Sequence, residues 1–332
     1  MSETNPLSVL VSGGAGYIGS HVVLALTEAG HRPVVIDDLS TGRRKLVAPD
    51  VPFVEGDIGN RQLVEQVLAD HDCVAVMHFA GSIVVPESVE QPLAYYDNNV
   101  ANSLALLQAC QQRQVDRFIF SSTAAVYAGD AVKPVSEDDR LAPANPYGRS
   151  KLMVEWMLQD QAAASALSYG ILRYFNVAGA DPGLRAGQAS PEATHLIKRA
   201  CQTALGRHPA IDVFGSDYAT PDGTAVRDYI HVSDLATAHV ALLGHLQDGG
   251  DSCTLNCGYG HGFSVNQVLD AVDRVHGTPV PRRTAPRRAG DAASLIADPS
   301  RLRRLLGWQP QHDDLDHIID TALRWERQLA GI

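Results

Sequence analysis

Eleven residues, "NPYGRSKLMVE" from Asn145 to Glu155, set a tyrosine four positions before a lysine. Pro146 has its φ already fixed for a first helical turn, and its missing N–H costs nothing there. A helix running on from Tyr147 puts residues i and i+4 on one face, so the Tyr147 phenol and the Lys151 ammonium point into the same space. A nearby cation and a helix N-terminus both favour phenolate, and both push a tyrosine down from its usual value of about 10. That is the chemistry of a general base at neutral pH. A chance pair on a solvated helix has the same spacing, so the rest of the chain has to decide.

A second stretch, "VLVSGGAGYIGSH", places Gly13, Gly16 and Gly19 between an apolar run and a helical pattern. The first glycine permits a tight turn, the second lets a pyrophosphate approach the backbone, and the third lets helix and strand pack closely. The helix start then turns its free N–H groups towards the phosphates. The strand–loop–helix context separates this motif from a plain tight turn. Asp37 ends the next apolar run, 18 residues after Gly19. A carboxylate there accepts from both ribose hydroxyls of adenosine and repels a 2′-phosphate, which favours NAD over NADP. Arg43 and Arg44 keep NADP open as the lesser alternative. Asp57 in "EGDI" suits an adenine edge or a turn cap equally.

The elements that must position these residues alternate along the first half. "SVLVSGG", "RPVVIDDLS", "VPFVEGD", "DCVAVMHFAG", "DRFIFSSTAAVY" and "LSYGILRYFN" are apolar runs. Helical patterns such as "HVVLALTEAG", "RQLVEQVLADH" and the long "PLAYYDNNVANSLALLQACQQRQ" separate them. This reads as an α/β fold with a doubly wound parallel sheet of Rossmann type over residues 1–176. After Asn176 the rhythm breaks into Gly- and Pro-rich loops and scattered helices. Residues 177–332 are therefore expected to form a smaller α/β substrate lobe, with segments near 227–258 returning to the sheet.

The bulk composition excludes several classes. The 332 residues carry a formal net charge of −11, which disfavours a nucleic-acid surface. No stretch approaches the roughly 20 apolar residues of a membrane span, and the start has no signal-peptide pattern. The five cysteines are odd in number and lack metal-ligand spacing, so free thiols in the cytoplasm are expected and no metal.

Several motifs now coincide: "GGAGYIG", "HFAG" (His78–Gly81), "FSSTAAVY" and "YGRSK". Together they resemble the extended short-chain dehydrogenase/reductase family. "YYDNNV" (Tyr95–Val100), "LRYFNVAGA" (Leu172–Ala180), "DYATPDGTAVRDYIHVSDLA" (Asp217–Ala236) and "PRRAGD" (Pro286–Asp291) resemble the UDP-glucose 4-epimerases within it, over nearly the whole chain. The resemblance implies interconversion of UDP-galactose and UDP-glucose by transient oxidation at carbon 4, with tightly held NAD. Tyr147 would be the base and then the acid, Lys151 would hold the nicotinamide ribose and lower the tyrosine pKa, and Thr123 would orient the sugar hydroxyl. The implied cofactor contacts are Gly13, Gly16, Tyr17, Ile18, Gly19, Asp37, Asp38, Asp57, Ile58, Phe79, Ala80, Gly81, Asn98, Ser121, Tyr147, Lys151 and Tyr174. The implied substrate contacts, beside Thr123 and Tyr147, are Asn176, His195, Phe214, Arg227, Arg288, Asp291 and Leu295. Arginine suits the diphosphate because its planar fork donates two bonds at once.

The chain also departs from that family's pattern. Ile83 stands where a lysine near the cofactor is frequent, which bears on NAD retention. Thr123 replaces the commoner serine, Ala128 a glycine, and His195 an asparagine that contacts the nucleotide. The family pairs two helices with their copies, which implies a homodimer through a four-helix bundle. Leu295 is intermediate in size at a position that limits N-acetylated sugars, so UDP-N-acetylhexosamines are an alternative substrate, as are UDP-pentoses and UDP-uronates. A dehydratase would need Asp-Glu after Thr123, where Ala124 and Ala125 stand. A non-catalytic NAD sensor is the remaining alternative, and it needs no Thr123/Tyr147/Lys151 set.

Overall fold

All five residues of the first strand, β1 (Ser8–Ser12), are buried, and the second, β2 (Arg32–Asp37), is buried after its first residue. Unbroken apolar runs are what a parallel sheet covered on both faces requires. β3 (Phe53–Glu55), β4 (Ala75–His78), β5 (Arg117–Thr123) and β6 (Ser168–Tyr174) lie on the other four runs of the sequence pattern. With a seventh strand, Cys253–Cys257, they form one sheet in the order Cys253–Cys257, β6, β5, β4, β1, β2, β3. The pairings β1–β2, β1–β4, β2–β3 and β4–β5 are parallel. The strand order reverses between β1 and β4, and in such sheets ligands bind outside the carboxyl ends of the strands at that point. The segment "CTLNC" of the seventh strand has no apolar run, which is why the pattern does not mark it.

This computed structural model describes residues 6–129, 133–190, 194–288 and 291–331. The chain divides into two compact units. Met1–Val126, Pro143–Arg173 and Ala236–Leu255 make the first, and Tyr127–Ala142, Tyr174–Leu235 and Asn256–Ile332 make the second. In the first unit, Leu10, Ile36, Val76, Phe118 and Ile171 of the sheet pack with Val64, Leu106, Val154 and Leu158 of the flanking helices.

The long helix expected over "PLAYYDNNVANSLALLQACQQ" is continuous, but its middle is overfilled. Pro92–Tyr96 and Asn102–Gln112 are α-helical, and Asp97–Ala101 between them is a π turn. A π turn holds one residue more than an α turn and is frequent at functional sites. It sets the facing of the asparagines described below.

In the second unit, the helices Leu196–Ala204, Val265–His276 and Leu315–Ala330 pack against one another. Short ladders complete it. Ile211–Phe214 pairs with Arg282–Ala285 in parallel, and Tyr229–His231 pairs with Asn176–Ala178 in parallel. Val226–Arg227 lies between Phe263–Ser264 and Ser294–Leu295. The fully buried Asp228 fastens two further segments by accepting the N–H groups of Tyr259 (3.0 Å) and Gly260 (3.0 Å) in one and of Ala297 (3.2 Å) in the other. Burial pushes its carboxyl up, and those three donors oppose the shift. Among the described residues, no helix is long and apolar enough to cross a membrane.

Candidate active site

The helix Pro146–Ala164 starts where the sequence pattern puts it. Pro146 occupies the first turn, and the Asn145 side chain accepts from Gly148 N at 2.9 Å, satisfying one free helix donor. Tyr147 and Lys151 are both buried, at 8% and 3% exposure. The Tyr147 phenol is hydrogen-bonded to the Thr123 side chain at the end of β5. Thr123 Oγ1 also accepts from Ala125 N at 3.1 Å. Lys151 Nζ donates to the Ser121 carbonyl at 3.1 Å and lies 4.9 Å from the centre of the Phe120 ring. The first unit therefore brings Ser121, Thr123, Tyr147 and Lys151 together.

The electrostatics correct one expectation. The spacing predicts a tyrosine pushed down by Lys151 and the helix start. Instead burial pushes the Tyr147 phenol above its ordinary value, with only the Thr123 hydrogen bond pulling against it. Desolvation of a phenolate outweighs the Thr123 hydrogen bond, and the Lys151 ammonium is directed at Ser121 O and the Phe120 face. Lys151 itself is lowered by burial to about 8. In the chain alone, Tyr147 therefore holds its proton at neutral pH.

The glycine loop fits a dinucleotide. Gly13 has φ +72°, and a Cβ there would lie 2.5 Å from Ala80 N. A Cβ on Gly19 would lie 2.2 Å from Gly13 O, so only a bare backbone packs helix Tyr17–Glu28 this close to the loop. No side chain caps that helix at Gly16, and an uncapped helix start turns its first N–H groups, here near Tyr17 and Ile18, towards an anion. Asp37 is 7% exposed at the end of β2. Its two oxygens each take one backbone donor, Ala15 N and Leu39 N, both at 2.9 Å. Each oxygen keeps a lone pair for a ribose hydroxyl. Burial, the larger influence, raises its carboxyl against these donors.

The other cofactor candidates are placed as follows. Asp38 is exposed and accepts from Ser40 N (2.9 Å) and Oγ (2.6 Å), which makes a local turn. Asp57 caps its own turn through Gly59 N at 2.8 Å and accepts from Asn102 Nδ2 at 3.2 Å, while Ile58 is buried in the core. Phe79 N and Ala80 N both donate to Ser12 O at the end of β1, at 2.9 and 3.1 Å. The Phe79 ring tilts on His239 at 4.9 Å, and Gly81 has φ +154°. Asn98 is exposed and reaches Ser82 Oγ at 2.8 Å. Tyr174 closes β6. Ile83, at the lysine position, is 52% exposed.

Three buried groups escape the sequence reading. Asn99 accepts from Ser82 N (2.7 Å) and donates to Ser82 O and Ser150 Oγ, both at 3.0 Å. It ties the loop after β4 to the Tyr147 helix, and the "NN" dipeptide is its only signal. Glu155 is fully buried, paired with Arg173 at 2.5 Å and accepting from Ser122 Oγ at 2.5 Å. Here the missed signal is a glutamate on the buried face of the helix, three residues from Leu152 and three from Leu158. His78 sits between Ser12 Oγ at Nδ1 (2.7 Å) and Ser103 Oγ at Nε2 (2.8 Å). Ser103 already donates to Asn99 O, so His78 carries its proton on Nε2. Burial, and then Lys151, lowers it to about 3, which keeps it neutral.

The second unit groups the substrate candidates. Asn176 and His195 line one cavity of about 20 Å³. Arg288 stacks its guanidinium on the Phe214 ring at 3.8 Å and has no carboxylate partner among the described residues. Its neighbours are engaged, Arg287 with Asp217 at 2.6 Å and Arg283 with Asp212 at 2.7 Å. Arg227 reaches Asp291 loosely at 3.8 Å and pairs in strand register with Leu295. Ala289 and Gly290 of "PRRAGD" lie outside the described residues.

The chain was compared with known proteins. The model of the "NAD dependent epimerase/dehydratase family" matches residues 9–258. A UDP-glucose 4-epimerase of Azospirillum brasilense is 60% identical over 321 residues, covering 97% of this chain and 92% of that protein. Among solved structures, UDP-glucose 4-epimerase from Brucella ovis in complex with NAD superposes with a TM-score of 0.93 at 45% identity, over 96% of this chain and 98% of that one. The enzyme from Stenotrophomonas maltophila with bound NAD and formylated UDP-arabinopyranose gives 0.95 at 40% identity, over 98% and 99%. The family match spans β1 to the seventh strand, and full-length relatives extend it across both units, so the chain belongs to the NAD-dependent epimerase/dehydratase family.

Proposed function

We propose that the chain is a UDP-glucose 4-epimerase, an isomerase that interconverts UDP-galactose and UDP-glucose in galactose metabolism. The observation that carries the reading is the buried Tyr147 phenol bonded to Thr123, with Lys151 fixed one turn along. NAD, when bound, supplies the acceptor that takes hydride from carbon 4 and returns it, and it brings the positive charge that buried Tyr147 lacks. Gly13, Gly16 and Gly19 accept its pyrophosphate against bare backbone, and Asp37 takes its adenosine ribose. Tyr147 removes the proton of the sugar 4-hydroxyl and later returns one to the keto oxygen from the other face of the sugar. Thr123 aligns that hydroxyl, and Lys151 holds the nicotinamide ribose. Arg227 and Arg288 are the cations available to the diphosphate, since neither is held in a close ion pair. Asn176, His195, Phe214, Asp291 and Leu295 complete the nucleotide-sugar contacts.

The test is to incubate purified protein, without added NAD, with UDP-galactose and follow the sugar by proton NMR. Conversion to UDP-glucose up to an equilibrium mixture is expected, which shows the reaction and a retained cofactor at once. No conversion even with NAD supplied overturns the reading in favour of a UDP-N-acetylhexosamine, UDP-pentose or UDP-uronate, each of which the same assay scores.

The homodimer is part of this proposal. A groove of about 280 Å³ on the first unit is lined by Leu104, Leu107, Gln108, Gln111, Met157, Asp160 and Gln161. Leu93, Leu104 and Trp156 expose 79%, 45% and 51% of their surface nearby in sequence, on the two helices that the family resemblance pairs. Light scattering at micromolar concentration is expected to give twice the chain mass. Trp156→Glu is expected to move that mass to the monomer with the circular dichroism unchanged. A cytoplasmic location suits five cysteines that form no disulfide.

A further inference from the structure

His195 precedes the helix Leu196–Ala204 as its N-cap residue, but its side chain makes no capping bond. Its ring lines a cavity, and its Nδ1 lies 2.8 Å from Gln188 Nε2. An amide N–H only donates, so Nδ1 accepts and carries no proton. In the neutral ring the proton is then on Nε2. Burial, and then the charge of Lys198, lowers His195 below its ordinary value, so the ring is neutral at neutral pH.

Gln188 is itself fixed. It is 8% exposed, and its backbone carbonyl accepts from Lys198 Nζ at 2.8 Å and from Trp325 Nε1 at 3.2 Å. Lys198 is anchored in turn by an ion pair with Glu326, which Arg207 also reaches at 3.3 Å. Asn176 lines the same cavity. The His195 Nε2 nitrogen has no hydrogen-bond partner among the described residues.

We infer that Gln188 is a positioning residue that holds His195 in its Nε2–H form, so that the ring presents one neutral donor to an oxygen of the uridine diphosphate. The inference rests on reading the second unit as the nucleotide-binding one. Its chemical reason is a difference between two side chains. An asparagine at 195 carries an N–H donor in any environment. A histidine carries one at Nε2 only when the proton is kept off Nδ1, and Gln188 is placed to do that. An imidazole freed of Gln188 rotates and exchanges tautomers, and its Nε2 lone pair then opposes an anionic oxygen for part of the time.

The experiment is a double-mutant cycle on the NAD-loaded protein, with UDP affinity measured by calorimetry. Gln188→Met is expected to weaken UDP about 5- to 10-fold in the His195 chain, the range of one lost neutral hydrogen bond. In a His195→Asn background the same change is expected to cost less than 2-fold, because the asparagine donor needs no tautomer. Equal losses in both backgrounds mean that Gln188 acts on packing alone and overturn the inference, and so does no loss in either. Long-range proton–nitrogen spectra of the histidines at neutral pH supply the signature. His195 is expected as Nε2–H with Nδ1 a hydrogen-bonded acceptor, and Gln188→Met is expected to remove that acceptor shift. A proton found on Nδ1 overturns the inference. A wild type that fails to bind UDP overturns the nucleotide reading itself, and the calorimetry separates that outcome from the others.

Discussion

Tyr147→Phe is expected to lower kcat on UDP-galactose by about 10²- to 10⁴-fold, the range that a positioned general acid–base contributes. Phenylalanine keeps the ring that buries this helix start and removes only the oxygen bonded to Thr123. The fold is therefore expected to survive, with an unchanged circular dichroism spectrum and unchanged NAD content by absorbance. KM is expected to move little, because the proton transfer belongs to the transition state and the nucleotide supplies most of the ground-state binding. The raised phenol sharpens the prediction. A tyrosine that holds its proton in the chain alone has to be switched on, so removing NAD is expected to abolish turnover in the wild type as completely as the substitution does. Retained turnover in Tyr147→Phe, within a factor of about ten of wild type, discards the acid–base assignment.

The second large effect is on stability. Glu155→Gln is expected to cost about 3–5 kcal/mol, read as a fall in the urea midpoint at unchanged slope. The Glu155 side chain is 0% exposed and that of Arg173 4%. The carboxylate takes Arg173 through both Nε (3.0 Å) and Nη2 (2.5 Å), and Ser122 Oγ as well. An amide takes away the charge that Glu155 sets against the buried guanidinium, and burying a less compensated charge is the costly outcome. The double change Glu155→Leu with Arg173→Met removes both charges, and is expected to recover most of the loss. If Glu155→Gln shifts the midpoint by less than about 1 kcal/mol, the pair is more hydrated than its burial indicates. The pair joins the Tyr147 helix to β6 within the first unit, so its loss loosens the catalytic helix together with the sheet.

What the sequence discloses follows from how local each determinant is. The glycine loop, the Pro146 helix start and the six apolar runs are set within a few residues of chain, so spacing alone reads them. The seventh strand, "CTLNC", has no such local mark, and it is a strand because a sheet edge lies beside it. Asn98 and Asn99 differ only by helix register, and register here depends on a π turn that no periodicity announces. The state of Tyr147 turns on how much water is excluded around it, and spacing does not report that. Glu155 and Arg173 stand 18 positions apart and meet only because a helix and a strand of one sheet are superposed. Gln188 reaches His195 across a loop and is held from behind by Lys198 and by Trp325, which is 137 positions away. Single residues of chemical type are legible from sequence. The partners that fix their proton, tautomer or angle belong to the folded chain.

The chain passes between its two units at residues 126, 142, 173, 235 and 255. Neither unit is therefore a continuous stretch that could be excised by cutting the gene once. During synthesis the sheet of the first unit waits for Leu255, more than three-quarters of the way along the message, before its last strand arrives. By then about half of the second unit's chain, 127–142 and 174–235, has already been synthesised. The two halves of this protein have to mature together, and a nascent chain arrested before that residue exposes the open edge of β6, the sort of unpaired strand that chaperones and aggregation compete for.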